Sequence, residues 1–239
     1  MALERLLDQW HPRRSHGCLS GLRCRAIRCL GGGCRGGLRR DRAVRCIRGF
    51  GVTAADLLAS WLPANEDPAR PLMTLSTVSA SGYPDARTVL LSEYDASGFY
   101  FHTDSRSRKV ADVTRDPRVA LTLVWPGRQL VVQGDVSRAS ADELSWAYGH
   151  RSRYLQLLAW LNTNEYAALP LSERRAVWAS FGDEHPGGTL TPPGTWDGFL
   201  VRPVRLTFWE GDPDAASRRT EYRRASPTDE WLTPVTLAG

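Results

Sequence analysis

Residues 86–109 read ARTVLLSEYDASGFYFHTDSRSRK, and this stretch decides the fold. Arg87-Thr88-Val89-Leu90-Leu91 and Gly98-Phe99-Tyr100-Phe101-His102-Thr103 are rich in β-branched and aromatic residues, which suit a pleated surface. The Asp95-Ala96-Ser97-Gly98 break between them has hairpin-turn chemistry, so the spacing predicts two strands joined by a polar turn. Ser105-Arg106-Ser107-Arg108-Lys109 then leads into Val110 and Val113 and stops at Asp116-Pro117, predicting a short helix capped by Ser107. Free N–H groups at a helix start, the positive end of its dipole and the cations Arg108 and Lys109 together predict an anion site of phosphate type. Lys109 is the only lysine in the chain.

With 239 residues and 42% hydrophobic content, the chain is long enough for one ordinary domain and an extension. No apolar run reaches membrane-spanning length, which predicts a soluble, cytoplasmic protein without membrane partners. The net charge of +5 is unevenly spread: residues 1–50 hold twelve arginines against Glu4, Asp8 and Asp41, leaving nineteen basic and twenty-three acidic residues in the rest. All five cysteines, Cys18, Cys24, Cys29, Cys34 and Cys46, sit in the same segment, with no CxxC pair. The spacing argues against structural zinc, and no metal is expected. Charge without interleaved aromatics argues against a nucleic-acid arm. Residues 1–50 therefore read as a disordered or mistranslated Arg/Cys/Gly-rich extension, and residues 51–239 as the functional domain.

Order begins at Thr53-Ala54-Ala55-Asp56, a capping-box pattern, with Leu57, Leu58, Trp61 and Leu62 as the apolar face of a helix. Leu72–Val78, Val119–Trp125 and Gln129–Val136 read as further strands, the last two joined at Pro126-Gly127. Ser140-Ala141-Asp142-Glu143 has the pattern of a second capping box. Arg151–Trp160 and Leu171–Phe181 read as helices, followed by a Gly/Pro-rich loop. Trp196–Val201 and Val204–Trp209 return to strand character, and Glu221–Arg224 with Trp231-Leu232 suggests a last hairpin. The pattern is mostly β with peripheral helices, consistent with a small, mainly antiparallel barrel.

In order along the chain, the RTVLL strand, the FHTDSRSRK cradle, the Trp125-Pro126 to Arg128-Gln129 junction, W-D-G-F at 196–199 and F-W-E-G at 208–211 resemble the pyridoxamine 5'-phosphate oxidase family. The resemblance covers residues from about 53 to the C-terminus. It implies an FMN-binding split β-barrel that works as a homodimer with flavin at the interface. By similarity, Arg87, Thr88, Val89, Leu90 and Leu91 would line the flavin, with Thr103, Arg108 and Lys109 on its phosphate. Gln129 would reach the ring, Asn164 and Glu165 would replace a Gln-Ser pair, and Trp196 and Arg219 would close the site, some of these from the partner chain. His102 stands in the flavin wall where the family has an aromatic residue, and reads as a satisfied polar side chain. A flavin phosphate needs several cationic donors, in agreement with the cradle.

The departures concern the substrate. A family lysine that grips the substrate phosphate is Ser92 here, a Tyr, Arg and Ser set aligns with Ala147, Arg151 and Leu155, and an Arg-x-His pair aligns with Ala215 and Ser217. At about 1.5 to 3 kcal/mol for each charge-assisted contact, these losses weaken binding of a pyridoxine phosphate by orders of magnitude. The implied activity is an FMN-dependent oxidase for a larger, less charged, aromatic or polycyclic intermediate, similar to the phenazine-biosynthesis branch, with O2 as acceptor. Arg151, His150 and Arg219 are the candidates for steering the substrate. A divergent pyridoxamine phosphate oxidase using Arg153 or Arg218, a non-catalytic flavin or haem module, and a deazaflavin in place of FMN stay open as alternatives.

Overall fold

The computed structural model describes residues 52–188 and 190–239. The expectations for residues 1–50, including the cysteines, lie outside the described residues. Residues from Thr53 to Gly239 form one compact unit. In chain order the elements are α1 (Ala54–Trp61), β1 (Leu72–Val78), β2 (Pro84–Leu90), β3 (Glu93–Tyr94), β4 (Phe99–Asp104), α2 (Arg108–Arg115), β5 (Arg118–Trp125) and β6 (Arg128–Arg138). They continue with α3 (Ala141–Gly149), α4 (Arg153–Leu161), α5 (Asn164–Ala168), α6 (Leu171–Glu184), β7 (Trp196–Glu210), β8 (Arg218–Arg223) and β9 (Val235–Ala238). Among the described residues no helix is long and apolar enough to cross a membrane.

The strands make one antiparallel sheet of order β2-β1-β5-β6-β7-β4-β3, with β8 and β9 added beside β7. Alternation selects the core face. Leu75, Leu121, Leu130, Val132 and Leu206 are fully buried, each aliphatic side chain contributing about 1.5–3 kcal/mol over an exposed one. Helix α1 closes one end, its Trp61 packing edge-on against Phe208 with centroids 5.1 Å apart. The capping box expected at Thr53 and Asp56 forms in full.

Strand β7 is the backbone of the architecture. Trp196–Val201 and Val204–Trp209, expected as separate strands, form one 15-residue strand. Its first half pairs with β4, its second half with β8, and β6 runs beside nearly all of it. Pro203, which has no N–H to give, lies at a register shift opposite Gly134. A Cβ on Gly134 would stand 2.1 Å from the Arg202 carbonyl oxygen, so the close approach requires glycine.

The stretch at 86–109 folds differently from its expectation. Strand β2 pairs with β1, while the Asp95–Gly98 turn joins β4 to the two-residue β3. Asp95 Oδ1 accepts from the Ser97 and Gly98 amides at 2.7 and 3.1 Å, so the turn chemistry is as read; its upstream partner is not Arg87–Leu91. The last hairpin also moves, because β8 pairs with Val235–Ala238 and Trp231 packs against Tyr222 instead of entering a strand. Between the two expected helices, Asn164–Ala168 form the short helix α5 with Thr163 as its cap.

Candidate cofactor and active site

Strands β2 and β4 stand near opposite ends of the sheet order, yet Thr88–Leu90 and His102–Asp104 line a common cavity. The sheet curls until these ends face each other without pairing, and the seam between them is a cavity of about 410 Å³. Helix α4 and the start of α5 cover it through Leu155, Leu158, Ala159 and Asn164.

One end of the seam is built for an anion. Lys109 on the first turn of α2 donates to Thr103 Oγ1 at 3.0 Å, and Thr103 Oγ1 lies 3.4 Å from Ser107 Oγ. Ser107 occupies the N-cap of α2 but makes no side-chain cap bond, so its hydroxyl remains beside the cavity. Burial, and then the nearby charge of Arg87, hold the Lys109 pKa below its ordinary value. Among the described residues no carboxylate comes within ion-pair distance of Lys109. A half-buried ammonium flanked by hydroxyls and a helix N-terminus fits a phosphate group.

Arg87 stands behind this end and outside the cavity lining. Its guanidinium donates to Thr77 Oγ1 at 2.7 Å and meets Asp85 and Asp112 at 2.9 and 3.3 Å. Asp112 is buried on α2, so Arg87 fastens the phosphate-facing helix to β1 and β2. Arg108 turns outward to Asp85 at 2.5 Å with its side chain 77% exposed. Leu91 belongs to the core.

The other end is aromatic and proton-rich. The Trp196 ring lies parallel to His102 with centroids 5.0 Å apart, and the Arg151 guanidinium sits 4.4 Å from the Trp196 centroid. Trp196 Nε1 donates to the Leu144 carbonyl at 3.2 Å, which fixes the ring against α3. His102 is paired with Gly198 across β4 and β7, and a Cβ at 198 would stand 2.6 Å from the imidazole. The Asp-Gly-Phe of W-D-G-F thus makes room for His102. Ser92 Oγ lies 2.8 Å from His102 Nδ1 and accepts from Arg151 Nη2 at 3.3 Å.

Behind His102 lie two carboxyls that sequence reasoning missed. Glu143 occupies the third helical position of a capping box; Ser140 accepts from its amide, but its carboxylate turns away, placing Oε1 3.5 Å from His102 Nε2. Glu93, on β3, lies beside Glu143, and burial first, then this neighbour, push its pKa up to about 8. His102 is held below its ordinary value, chiefly by burial, while Glu143 is lowered by its contact with His102. Ligand-type atoms of Glu93, His102 and Glu143 lie within 4.8 Å of one another, a spacing a divalent cation can span. Burial and the neighbouring Glu143 favour a proton on Glu93, while the charges of Arg70 and Arg151 oppose it.

The structure thus brings Thr88, Val89, Leu90, His102, Thr103 and Lys109 to one cavity with Arg151, Leu155, Asn164 and Trp196. Ser92 joins them through its bonds to His102 and Arg151. Glu165 is exposed on α5, and Ala147 is buried on α3. Gln129 and Arg219 gather elsewhere, on either side of Trp209 in the sheet register. They share a sheet face with exposed Val124 and Leu237, while Ala215 and Ser217 occupy the adjoining turn. Trp196 and Trp209 lie at opposite ends of β7, roughly 40 Å apart along an extended strand. One chain therefore carries two separate groups of the expected residues.

Arg153 and Arg218, the candidates for replacement phosphate contacts, are engaged elsewhere. Arg153 donates to the carbonyls of His185 and Gly188, and Arg218 pairs with Glu210 at 3.0 Å.

Comparison with known proteins agrees with this geometry. The pyridoxamine 5'-phosphate oxidase family pattern matches residues 65–181. Curated pyridoxine/pyridoxamine 5'-phosphate oxidases include one from Salinibacter ruber, 36% identical over 66% of this chain and 75% of its own length. Another, from Chromohalobacter salexigens, is 33% identical over 81% and 94%. Among solved structures, PhzG from Burkholderia lata 383, in complex with tetrahydrophenazine-1-carboxylic acid, superposes with TM-score 0.61 at 23% identity, covering 72% of this chain and 84% of its own. A pyridoxamine 5'-phosphate oxidase-related, FMN-binding protein from Nostoc punctiforme gives 0.53 at 21%, over 70% and 87%. The curled antiparallel sheet, its seam cavity and these matches together place the chain in the pyridoxamine 5'-phosphate oxidase family.

Proposed function

We propose that the chain is an FMN-dependent oxidase whose donor is a reduced aromatic or polycyclic intermediate of the phenazine-precursor type, with O2 as the final acceptor. The observation that carries the choice of donor is that, among the described residues, Arg151 is the one cation lining the donor end and that the two candidates for replacing the lost phosphate contacts are engaged elsewhere. Arg151 is engaged by Trp196 and Ser92, Arg153 by backbone carbonyls and Arg218 by Glu210. Leu155, Leu158 and Ala159 give that wall an apolar character suited to a flat ring and ill suited to a second phosphate.

Lys109, Thr88, Thr103 and Ser107 would hold the FMN phosphate, with Asn164 and Trp196 nearer the ring. Arg87 supports that wall by holding α2 in place. When bound, the flavin supplies hydride acceptance and reoxidation by O2 with release of H2O2. Gln129 and Arg219, displaced along β7 and facing outward, would complete the site of a second copy. That calls for an isologous homodimer with two equivalent sites.

A divergent pyridoxine/pyridoxamine 5'-phosphate oxidase is the second reading, favoured by identities of 33 to 38% to curated relatives bearing that name. Anaerobic mixing of the FMN-loaded full chain with each donor separates the two. Bleaching of the flavin band by a dihydrophenazine carboxylate but not by pyridoxamine 5'-phosphate, with H2O2 on readmitting air, is the expected result. Preferential reduction by pyridoxamine 5'-phosphate establishes the second reading.

A further inference from the structure

Given the oxidase reading, on which this proposal rests, a donor H–X–C–H with X a nitrogen or oxygen loses two electrons. Its C–H bond breaks with the pair leaving as hydride to the flavin, an X=C double bond forms, and the X–H proton must go to a base. The electrons then pass to O2, which takes up two protons and leaves as H2O2. The residues that would hold the flavin provide no group for the X–H proton.

We propose that Ser92, His102 and Glu143 take it: Ser92 Oγ touches the donor, accepts its proton while passing its own to His102 Nδ1, and Glu143, braced by Glu93, stabilises the imidazolium. The geometry admits this direction. Arg151 Nη2 donates to Ser92 Oγ at 3.3 Å, so the Ser92 hydroxyl proton is free to point along the 2.8 Å contact to His102 Nδ1. That leaves the imidazole proton on Nε2, facing Glu143 Oε1 at 3.5 Å. Both of these atoms are buried and neither meets hydrogen-bond geometry with any described residue, as two groups waiting for the contact to tighten would be. The His102 side chain is wholly excluded from solvent, and Gly198 and Trp196 pin its ring from the β7 side. The order Ser, His, carboxylate is the hydroxyl–imidazole–acid relay that recurs on unrelated folds and is recognised by geometry.

The charges around the ring serve the same end. Glu143 and Asp197 favour the imidazolium, whereas burial and Arg151 oppose it, and burial is the largest influence. The imidazole is therefore neutral at rest and able to accept. Glu93 lies beside Glu143, and burial with that neighbour favours its protonated form, which leaves Glu143 as the carboxylate that faces His102.

The first test is nitrogen NMR of the FMN-loaded full chain carrying labelled histidine, with His102→Gln used to assign the signal. A neutral His102 protonated on Nε2 at pH 7 is expected; an Nδ1-protonated ring or an imidazolium at that pH overturns the relay. This readout stands even if no donor is oxidised, in which case only the oxidase reading falls. The second test is the single-turnover rate of flavin reduction by the active donor. His102→Gln, with FMN affinity retained, should slow it by roughly 10²- to 10⁴-fold. Glu143→Gln should lower the rate and move the acid limb of its pH profile. Unchanged rates and pH profiles in both variants would show His102 to be plain structural support and end the proposal.

Discussion

The two ends of the seam cavity are both polar and both half-buried, but they are finished to different degrees. At the donor end the polar groups face one another within the chain: Arg151 contacts Trp196 and Ser92, His102 contacts Ser92 and stands 3.5 Å from Glu143, and Glu93 lies beside Glu143. At the phosphate end Lys109 has a hydroxyl but, among the described residues, no carboxylate within ion-pair distance, and Asp104 favours its charge only from farther off. A half-buried cation without a close anion is costly, and the phosphate of a bound ligand would offset that cost.

The largest effect that sharpens this contrast is structural. Arg87→Ala leaves Asp112 buried without its cation and should cost about 3 kcal/mol of stability. Adding Asp112→Asn should recover most of that loss in denaturant unfolding. Full stability of the single variant would remove Arg87 as the support of the phosphate wall.

Next comes affinity. Lys109→Ala should weaken FMN binding by roughly 10- to 100-fold, the range for a lost charge-assisted hydrogen bond, in a fluorescence-quenching titration. Arg108→Ala, whose guanidinium is exposed on Asp85, should change it by no more than about threefold, in keeping with a surface pair. Equal losses would show that Arg108 swings in to share the phosphate.

The smallest effect reads the donor end through pH. The pKa of Glu93 is raised from 4.5 to about 8, so its contribution to stability is full below the unfolded value and is lost as pH rises through about 8. Glu93→Gln should flatten the decline of unfolding midpoint with pH across that window. A wild-type protein with no such decline would mean that Glu93 is ionised and the cluster is held together by something other than a proton.

Legibility in the sequence tracks the range of each interaction. Strand β1 and the Thr53 cap depend on neighbours a few residues away, and the structure has them where periodicity and cap chemistry put them. The Asp95–Gly98 turn was equally legible, but its partner strand was not. Pairing is decided across the sheet, where β2 is claimed by β1. Strand β7 looked broken because Pro203 usually ends a strand, and only the bulge at Gly134 lets it continue. At the site, Lys109 announced itself as the single lysine beside a helix start. Glu143 was hidden in a capping pattern that its backbone satisfies while its side chain leaves. Glu93 and Asp112 carried no local signal at all, since each acquires its role from a residue brought in by the fold.

The central claim is that the uncompensated Lys109 end of the seam receives the phosphate of a flavin. Calorimetric titration of the full chain with FMN and, separately, with riboflavin tests it directly, because the two differ only in that phosphate. The account predicts saturable FMN binding with riboflavin at least about 100-fold weaker. Equal affinities, or no binding of FMN, would contradict it.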